Sequence, residues 1–522
     1  MTTIQNPILR GFHPDPSILR VGEEFYIATS TFEWFPGVKI ERSKDLKHWH
    51  PVAYPLRGQS QFTLDGVHNS CGIWGTSLSY DNGTFYLVYS IVWTRKGIFK
   101  DVHNFLITTD DIDGEWSEPV FLNSSGFDPF LFHDESGEKW LFNVNWDWRP
   151  ERESFAGILA QRYDEKEKKL VGNSKVVCRG SSAGKTEGVN VYKRGDYYYM
   201  VLAEGGTGYE HRVTLARSKQ VCGLYEFCPY NPIMTSRTNA NNPLQRAGHA
   251  SLVETEGGQW YMAYLVSRPV LGRSILGRET AIEKIRWTDN DWFVAEGGPA
   301  PRLEIPGPDS VEEQPEEKEW RYEFDLPQIP LDFQSLRVPL TSDMMSLTER
   351  PGWLRLKGWE SITSQHKQTM LARRQQSFFY EIEAKMDYAP QNFRQMAGIT
   401  CFYNTDNFYY LYVSGDIDGR FISVLSCQNG EFSNAESIRL PEEESVYLRV
   451  EGRVHTIQFF FSMSGETWRR VGKEFDALTL SDEYQRDGAN YTGTFIGMCC
   501  QDMTGSHLHA DFDWFWYSDA SR

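Results

Sequence analysis

Three acidic motifs recur in order along the chain: His13-Pro14-Asp15-Pro16-Ser17, Gly126-Phe127-Asp128-Pro129-Phe130 and Thr186-Glu187-Gly188-Val189-Asn190. Each opens a strand-like run, then a turn containing glycine, then an aromatic second strand. Asp15 leads into Ile18-Leu19, Gly22 and Phe25-Tyr26-Ile27. Asp128 leads into Leu131-Phe132, Gly137 and Trp140-Leu141-Phe142, and Glu187 into Val191-Tyr192, Gly195 and Tyr197-Tyr198-Tyr199. Acids gathered at one place repel, so at least one of them holds its proton more tightly. An ionised carboxylate beside a protonated one is what general acid–base chemistry requires. Taken singly, each acid reads equally well as a turn residue at a strand entry, where Asp-Pro is common.

Two more units follow the same pattern. Trp74-Gly75-Thr76-Ser77-Leu78 precedes Asp81-Asn82-Gly83 and Phe85-Tyr86-Leu87, and His249-Ala250-Ser251-Leu252-Val253 precedes Gly257-Gly258 and Trp260-Tyr261-Met262. The five starts lie roughly 50–60 residues apart, room for about four strands each, which is the period of a propeller blade. Short aromatic and β-branched runs punctuated by Gly, Asp and Asn predict an all-β chain, and no long stretch carries apolar residues at helical spacing. The expectation is a five-bladed β-propeller over residues 1–300. Its innermost strands would direct Asp15, Trp74, Asp128, Glu187 and His249 into one central funnel.

A linker is expected at 301–321, where Pro306-Gly307-Pro308 and Glu312-Glu313-Gln314-Pro315-Glu316-Glu317 offer little to bury. Over 322–522 the strand periodicity continues without the blade pattern. Phe378-Phe379-Tyr380-Glu381-Ile382, Phe408-Tyr409-Tyr410-Leu411-Tyr412-Val413 and Tyr447-Leu448-Arg449-Val450 read as strands of a β-sandwich. No acid pair stands out there, so this domain reads as structural or binding.

The 522 residues carry a formal charge of −18 and no basic block. Phosphate backbones need clustered Lys and Arg, so nucleic acid and anionic membranes are excluded as partners, and a neutral substrate fits. The first residues lack a basic head followed by an apolar core, and no apolar run reaches the ~18 residues of a spanning helix. The eight cysteines form no Cys-x-x-Cys pair. Scattered thiols predict a cytoplasmic protein. The stretch 180–186 imitates a phosphate loop, but Arg179 stands where its first glycine belongs and a strand, not a helix, follows.

With these motifs in this order, the chain resembles glycoside hydrolase family 43, and within it the two-domain xylan 1,4-β-xylosidases. The opening Asn6-Pro7-Ile8-Leu9-Arg10-Gly11-Phe12 also looks like the start of that family. The resemblance implies a propeller followed by a concanavalin-like β-sandwich, and an exo-acting, inverting enzyme. It would release xylose from the non-reducing end of β-1,4-xylo-oligosaccharides. It implies Asp15 as general base, Glu187 as general acid and Asp128 as the carboxylate that orients the acid and raises its pKa. Phe32, Trp74, Thr207 and Arg286 resemble residues that line the sugar pocket. His249 resembles an axial histidine that in some members approaches calcium or another cation through water, though no cofactor is required. The expected partner is a small oligosaccharide, and the expected assembly is a homo-oligomer. An α-L-arabinofuranosidase, or a dual activity, and a non-catalytic carbohydrate-binding propeller are the alternatives. The sandwich is expected to lend the loop from Gln501 to His507 to the pocket rim.

Overall fold

The computed structural model describes residues 3–58, 62–95, 97–308, 318–442, 445–486 and 490–519. Among the described residues the regular elements are strands, apart from two single-turn 3-10 helices at Ala477–Thr479 and Asp482–Tyr484. The chain divides into two compact units, 1–62 with 71–269 and 278–313, and 63–70 with 270–277 and 314–522.

The first unit is a five-bladed propeller, as the repeat predicts. Every blade is an antiparallel meander, and in blade one the two-residue strand Trp34–Phe35 is left out of it. Blade one runs through Ser17–Val21, Glu24–Thr29, Lys39–Ser43 and His50–Ala53, and blade two through Gly72–Asp81, Thr84–Thr94, Asp101–Thr109 and Val120–Asn123. Blade three comprises Phe130–His133, Lys139–Trp146, Phe155–Asp164 and Lys169–Cys178. Blade four begins at Glu187–Arg194, Tyr197–Glu204 and Arg212–Ser218, and blade five comprises Gln245–Glu254, Trp260–Ser267, Glu279–Trp287 and Phe293–Ala295. Gly22, Gly83, Gly137, Gly195 and Gly258 close the first hairpin of each blade with φ between 56° and 86°. Four of the five have open space where a Cβ would sit, so it is the left-handed backbone that calls for glycine there.

Side chains stitch the innermost strands around the axis. Ser17 Oγ accepts from Leu78 N at 2.9 Å, linking blades one and two. Ser251 Oγ accepts from Ile18 N at 2.9 Å, linking five and one, and Asn190 Nδ2 donates to Ala250 O at 3.1 Å, linking four and five. Among the described residues no strand is exchanged between the first and last blades. Ile18, Phe25 and Ile27 of blade one instead share an apolar cluster with Val253, Tyr261, Ala263 and Ile282 of blade five. Beside that seam Thr3–Gln5 pairs antiparallel with Glu304–Pro306. Asn6 clamps it, donating to Ile282 O at 2.8 Å and to Arg302 O at 2.9 Å while accepting from Ile282 N.

The second unit is the expected sandwich. One sheet is built on His509–Ser518, Phe379–Asp387, Val446–Arg453 and Thr456–Ser462, and the other on Gln395–Asn404, Asn407–Asp416, Gly419–Gln428 and Phe495–Asp502. Burial alternates along Phe379–Asp387, so that sheet presents one face to the core. The core brings Ile382, Val450 and Phe512 together with Ile399, Val424 and Met498.

The sequence boundary at 300 does not coincide with the compact units. Glu304–Pro306 belongs with the propeller's first strand. Segments 63–70 and 270–277 belong to the second unit because polar anchors hold them there. The buried Arg337 guanidinium donates to Val67 O at 2.6 Å and to Asn69 Oδ1 at 2.8 Å. Glu483 accepts from Ser274 N and Oγ at 2.8 and 2.9 Å. Of the expected linker, 309–317 lies outside the described residues.

Candidate active site

A left-handed residue stands at the head of the innermost strand in all five blades: Asp15 (φ 55°), Gly75 (49°), Asp128 (54°), Gly188 (60°) and His249 (45°). Three of the five are not glycine, a costly choice that concentrates at functional positions. The repeat aligns Trp74 and Glu187 with Asp15 and Asp128, and here the structure corrects it. Their matches are Gly75 and Gly188, one residue later. Bulges take up the offset, between Trp74 and Ser77 in blade two and between Glu187 and Asn190 in blade four. The two glycines are also required by space. A Cβ on Gly75 would lie 2.1 Å from Asp128 Oδ1, and one on Gly188 would lie 2.9 Å from the His249 ring.

All three acids are buried, together with His249 and Arg278. Arg278 Nη1 lies 2.8 Å from Asp15 Oδ1, and His249 Nδ1 lies 3.3 Å from the same oxygen. Burial alone would raise the Asp15 carboxyl, but Arg278 and His249 outweigh it and hold the group far below the usual carboxylate range. Glu187 goes the opposite way, raised by burial and by the neighbouring Asp128 charge. Asp128 is raised by burial and by Asp15, against the pull of His249 and a hydrogen bond of 3.0 Å from Gly188 N. Asp128 and Glu187 share one field and titrate as a pair, with apparent values of about 6 and about 8. At neutral pH the site holds an ionised Asp15 and a protonated Glu187.

The loop before Glu187 is rigidly held. Glu204, fully buried, accepts from Ser181 N at 2.6 Å, Ser181 Oγ at 2.6 Å and Thr186 Oγ1 at 2.9 Å. The stretch that imitates a phosphate loop is therefore the support of the acid.

Phe32 and Trp74 face each other at 5.5 Å, and Trp74 meets Phe127 at 5.8 Å. Both sit beside the acids, since Phe32 lies 5.1 Å under the Arg278 guanidinium. Thr207 is half-buried in the 205–211 loop of blade four, between its second and third strands. Arg286 is a correction. It is exposed near the end of Glu279–Trp287, opposite Val294, and belongs to the outer part of blade five. The arginine on the acids is Arg278, immediately before that strand. Lys100 holds the same place in blade two, immediately before Asp101–Thr109, with Nζ 3.9 Å from the Trp146 ring centre and close enough to Glu187 to be influenced by its charge. A basic residue directly before a third strand is the signal that would have found both.

His249 faces the same acids, with Nδ1 3.3 Å from Asp15 Oδ1. Burial works against its charge, but Asp15, Asp128 and Glu187 prevail and raise it to about 9. Among the described residues no group of three His, Cys, Asp or Glu side chains is arranged for a metal ion. The nearest of the three carboxylates acting on His249 is Asp15, which is first among the causes that raise it.

Comparison with known proteins decides the family. The model of glycosyl hydrolases family 43 matches residues 4–293. The chain belongs to family 43. The model of the beta-xylosidase C-terminal concanavalin A-like domain matches residues 321–518. A beta-xylosidase of Bacillus subtilis is 46% identical over 532 residues, covering 99% of both chains. The xylosidase/arabinosidase 43B of Humicola insolens is 44% identical over 529 residues, covering 99% of this chain and 98% of its own. The crystal structure of xylan beta-1,4-xylosidase from Bacillus halodurans C-125 superposes with a TM-score of 0.97 at 48% identity, covering 99% of this chain and 100% of that one. This family 43 chain is thus a glycoside hydrolase of the two-domain form, and its chemistry needs no cofactor.

Proposed function

We propose that the protein removes single xylose units, with inversion, from the non-reducing end of β-1,4-xylo-oligosaccharides. The observation that carries this reading is the opposite displacement of two buried acids, with Asp15 held ionised and Glu187 held protonated. That division suits a base and an acid acting on opposite faces of one sugar. The Phe32 and Trp74 rings offer flat apolar faces to a pyranose. Asp15 accepts a proton from water as the water oxygen bonds to C1. The glycosidic bond breaks, and the Glu187 proton passes to the leaving oxygen. A carboxylate clamped between two cations is a weak base. Sugar hydroxyls that draw Arg278 away from Asp15 would restore its basicity as substrate binds, timing the base to the loaded site.

The names of the relatives support xylose as the sugar, and the Humicola relative supports arabinofuranoside cleavage as a secondary activity. Relative turnover of the 4-nitrophenyl β-xyloside and α-L-arabinofuranoside measures that balance. Eight free thiols, seven of them buried, support work in a reducing compartment on short imported oligomers. Proton NMR of the first product tests the mechanism. α-Xylose should appear before mutarotation, and early β-xylose would overturn inversion.

A further inference from the structure

In every blade the loop between the second and third strands lies at the same end of the strands as the acids. Blade one supplies Phe32 from this loop, and Arg278 stands at the end of the corresponding loop in blade five. The equivalent loops of blades two and three carry Phe99 and Trp148. These rings are 55% and 52% exposed, yet they stack at 5.5 Å with 30° between their planes. Neither has a role in the chemistry above.

A run of aromatic contacts leads from beside the acids to Trp146, two residues before Trp148. Trp74 meets Phe127 at 5.8 Å, and Phe127 meets Trp146 at 5.9 Å. Lys100 lies over Trp146, within reach of the Glu187 charge, and Phe99 is its chain neighbour. The two loops are tied to each other, because Trp146 Nε1 donates to Ile98 O at 3.1 Å. The exposed pair is therefore held in place before any ligand arrives, which lowers the cost of binding. Glu187 delivers its proton to the leaving oxygen, so a path running outward from Glu187 follows the leaving chain.

We propose that Phe99 and Trp148 form an outer platform for the second xylosyl unit of the leaving chain, the unit beyond the one that Glu187 protonates. A flat, uncharged, solvent-facing aromatic surface suits the C–H face of a neutral pyranose. The proposal rests on the xylosidase reading above and deepens it, since it makes the enzyme a chain-length reader and not only a xyloside cleaver.

The test compares wild type with Phe99→Ala, Trp148→Ala and the double variant. Substrates are 4-nitrophenyl β-xyloside, xylobiose, xylotriose and xylotetraose, with solution mass measured in parallel. Only the last two sugars reach the platform. Their kcat/KM should fall roughly tenfold in the double variant, the equivalent of one stacking contact, with the aryl xyloside and xylobiose unchanged. Equal loss on all four substrates would assign the pair to holding the mouth loops, and no loss on any would remove it from substrate binding. A fall in solution mass in the variants would make it a contact between copies of the chain. Each of these overturns the platform. Wild type inert on all four substrates would overturn the xylosidase reading itself.

Discussion

Glu187 is kept protonated by burial and by Asp128, and the second of these can be removed by itself. In free enzyme and substrate, kcat/KM should fall as pH rises through about 8, the upper apparent value of the acid pair. Asp128→Asn removes the neighbouring charge, so this alkaline limb should move to lower pH. A pH profile with the limb unmoved would deny Asp128 that role. The proton also couples to folding. An ordinary glutamate ionises near 4.5, whereas Glu187 holds its proton to about 8. Between those values the unfolded chain releases a proton that the fold retains, so rising pH favours unfolding. Glu187→Gln removes this penalty. It should lower turnover of unactivated xylosides by about 10²–10⁴-fold. It should also melt higher than wild type, by a margin that widens from pH 5 to pH 8. Thermal unfolding at several pH values checks the sign. The three acids were legible in the sequence because each sits in a short motif at blade spacing. Arg278 was not, since it lies 263 residues from Asp15 and only the closure of the ring brings them together. Arg286, eight positions on, has the right residue type on the wrong part of the blade.

At the scale of elements, the repeat placed the strands correctly and misjudged register by one residue in two blades. Period-two patterning tells which residues share a face, but it does not show a bulge, which adds a residue without disturbing the flanking alternation. The mismatch has a function. In blades one and three the acid is itself the left-handed residue, whereas in blade four Gly188 takes that conformation and Glu187 comes one residue earlier. The acid's precision then depends on the 180–186 loop and on Glu204. Glu204→Ala would strand three donors, at a cost of about 3 kcal/mol or more. A matching loss of kcat should accompany it, with KM little changed, because the acid is misplaced and the sugar pocket is not. Glu204→Gln, which keeps an acceptor, should recover part of the rate. Steady-state kinetics beside thermal unfolding separates this from a simple loss of folded protein.

For the whole molecule, composition and periodicity gave two all-β bodies, but not the polar anchors by which short segments from the first 300 residues join the second. Arg337 and Glu483 have no pattern that marks them as anchors. Each is one charged residue whose partners are backbone groups, a side-chain amide or a hydroxyl hundreds of positions away. Removing residues from 314 onward leaves 63–70 and 270–277 without those partners. A 1–313 fragment is expected to aggregate or to lose activity, as sedimentation and xyloside assays would show. A soluble, fully active fragment would make the second unit dispensable.

The seam between blades one and five also has a mechanical meaning. Thr3 pairs with Pro306 and Gln5 with Glu304, so the chain enters and leaves that short ladder at the same end. Tension between a handle before Thr3 and one after Pro306 would load its hydrogen bonds one at a time, as a zipper is opened, and not all together in shear. The Asn6 clamp would give next, and then the apolar contact of blades one and five. Under load the propeller should therefore open as a ring cut at a single place, with the other four blade-to-blade junctions still closed.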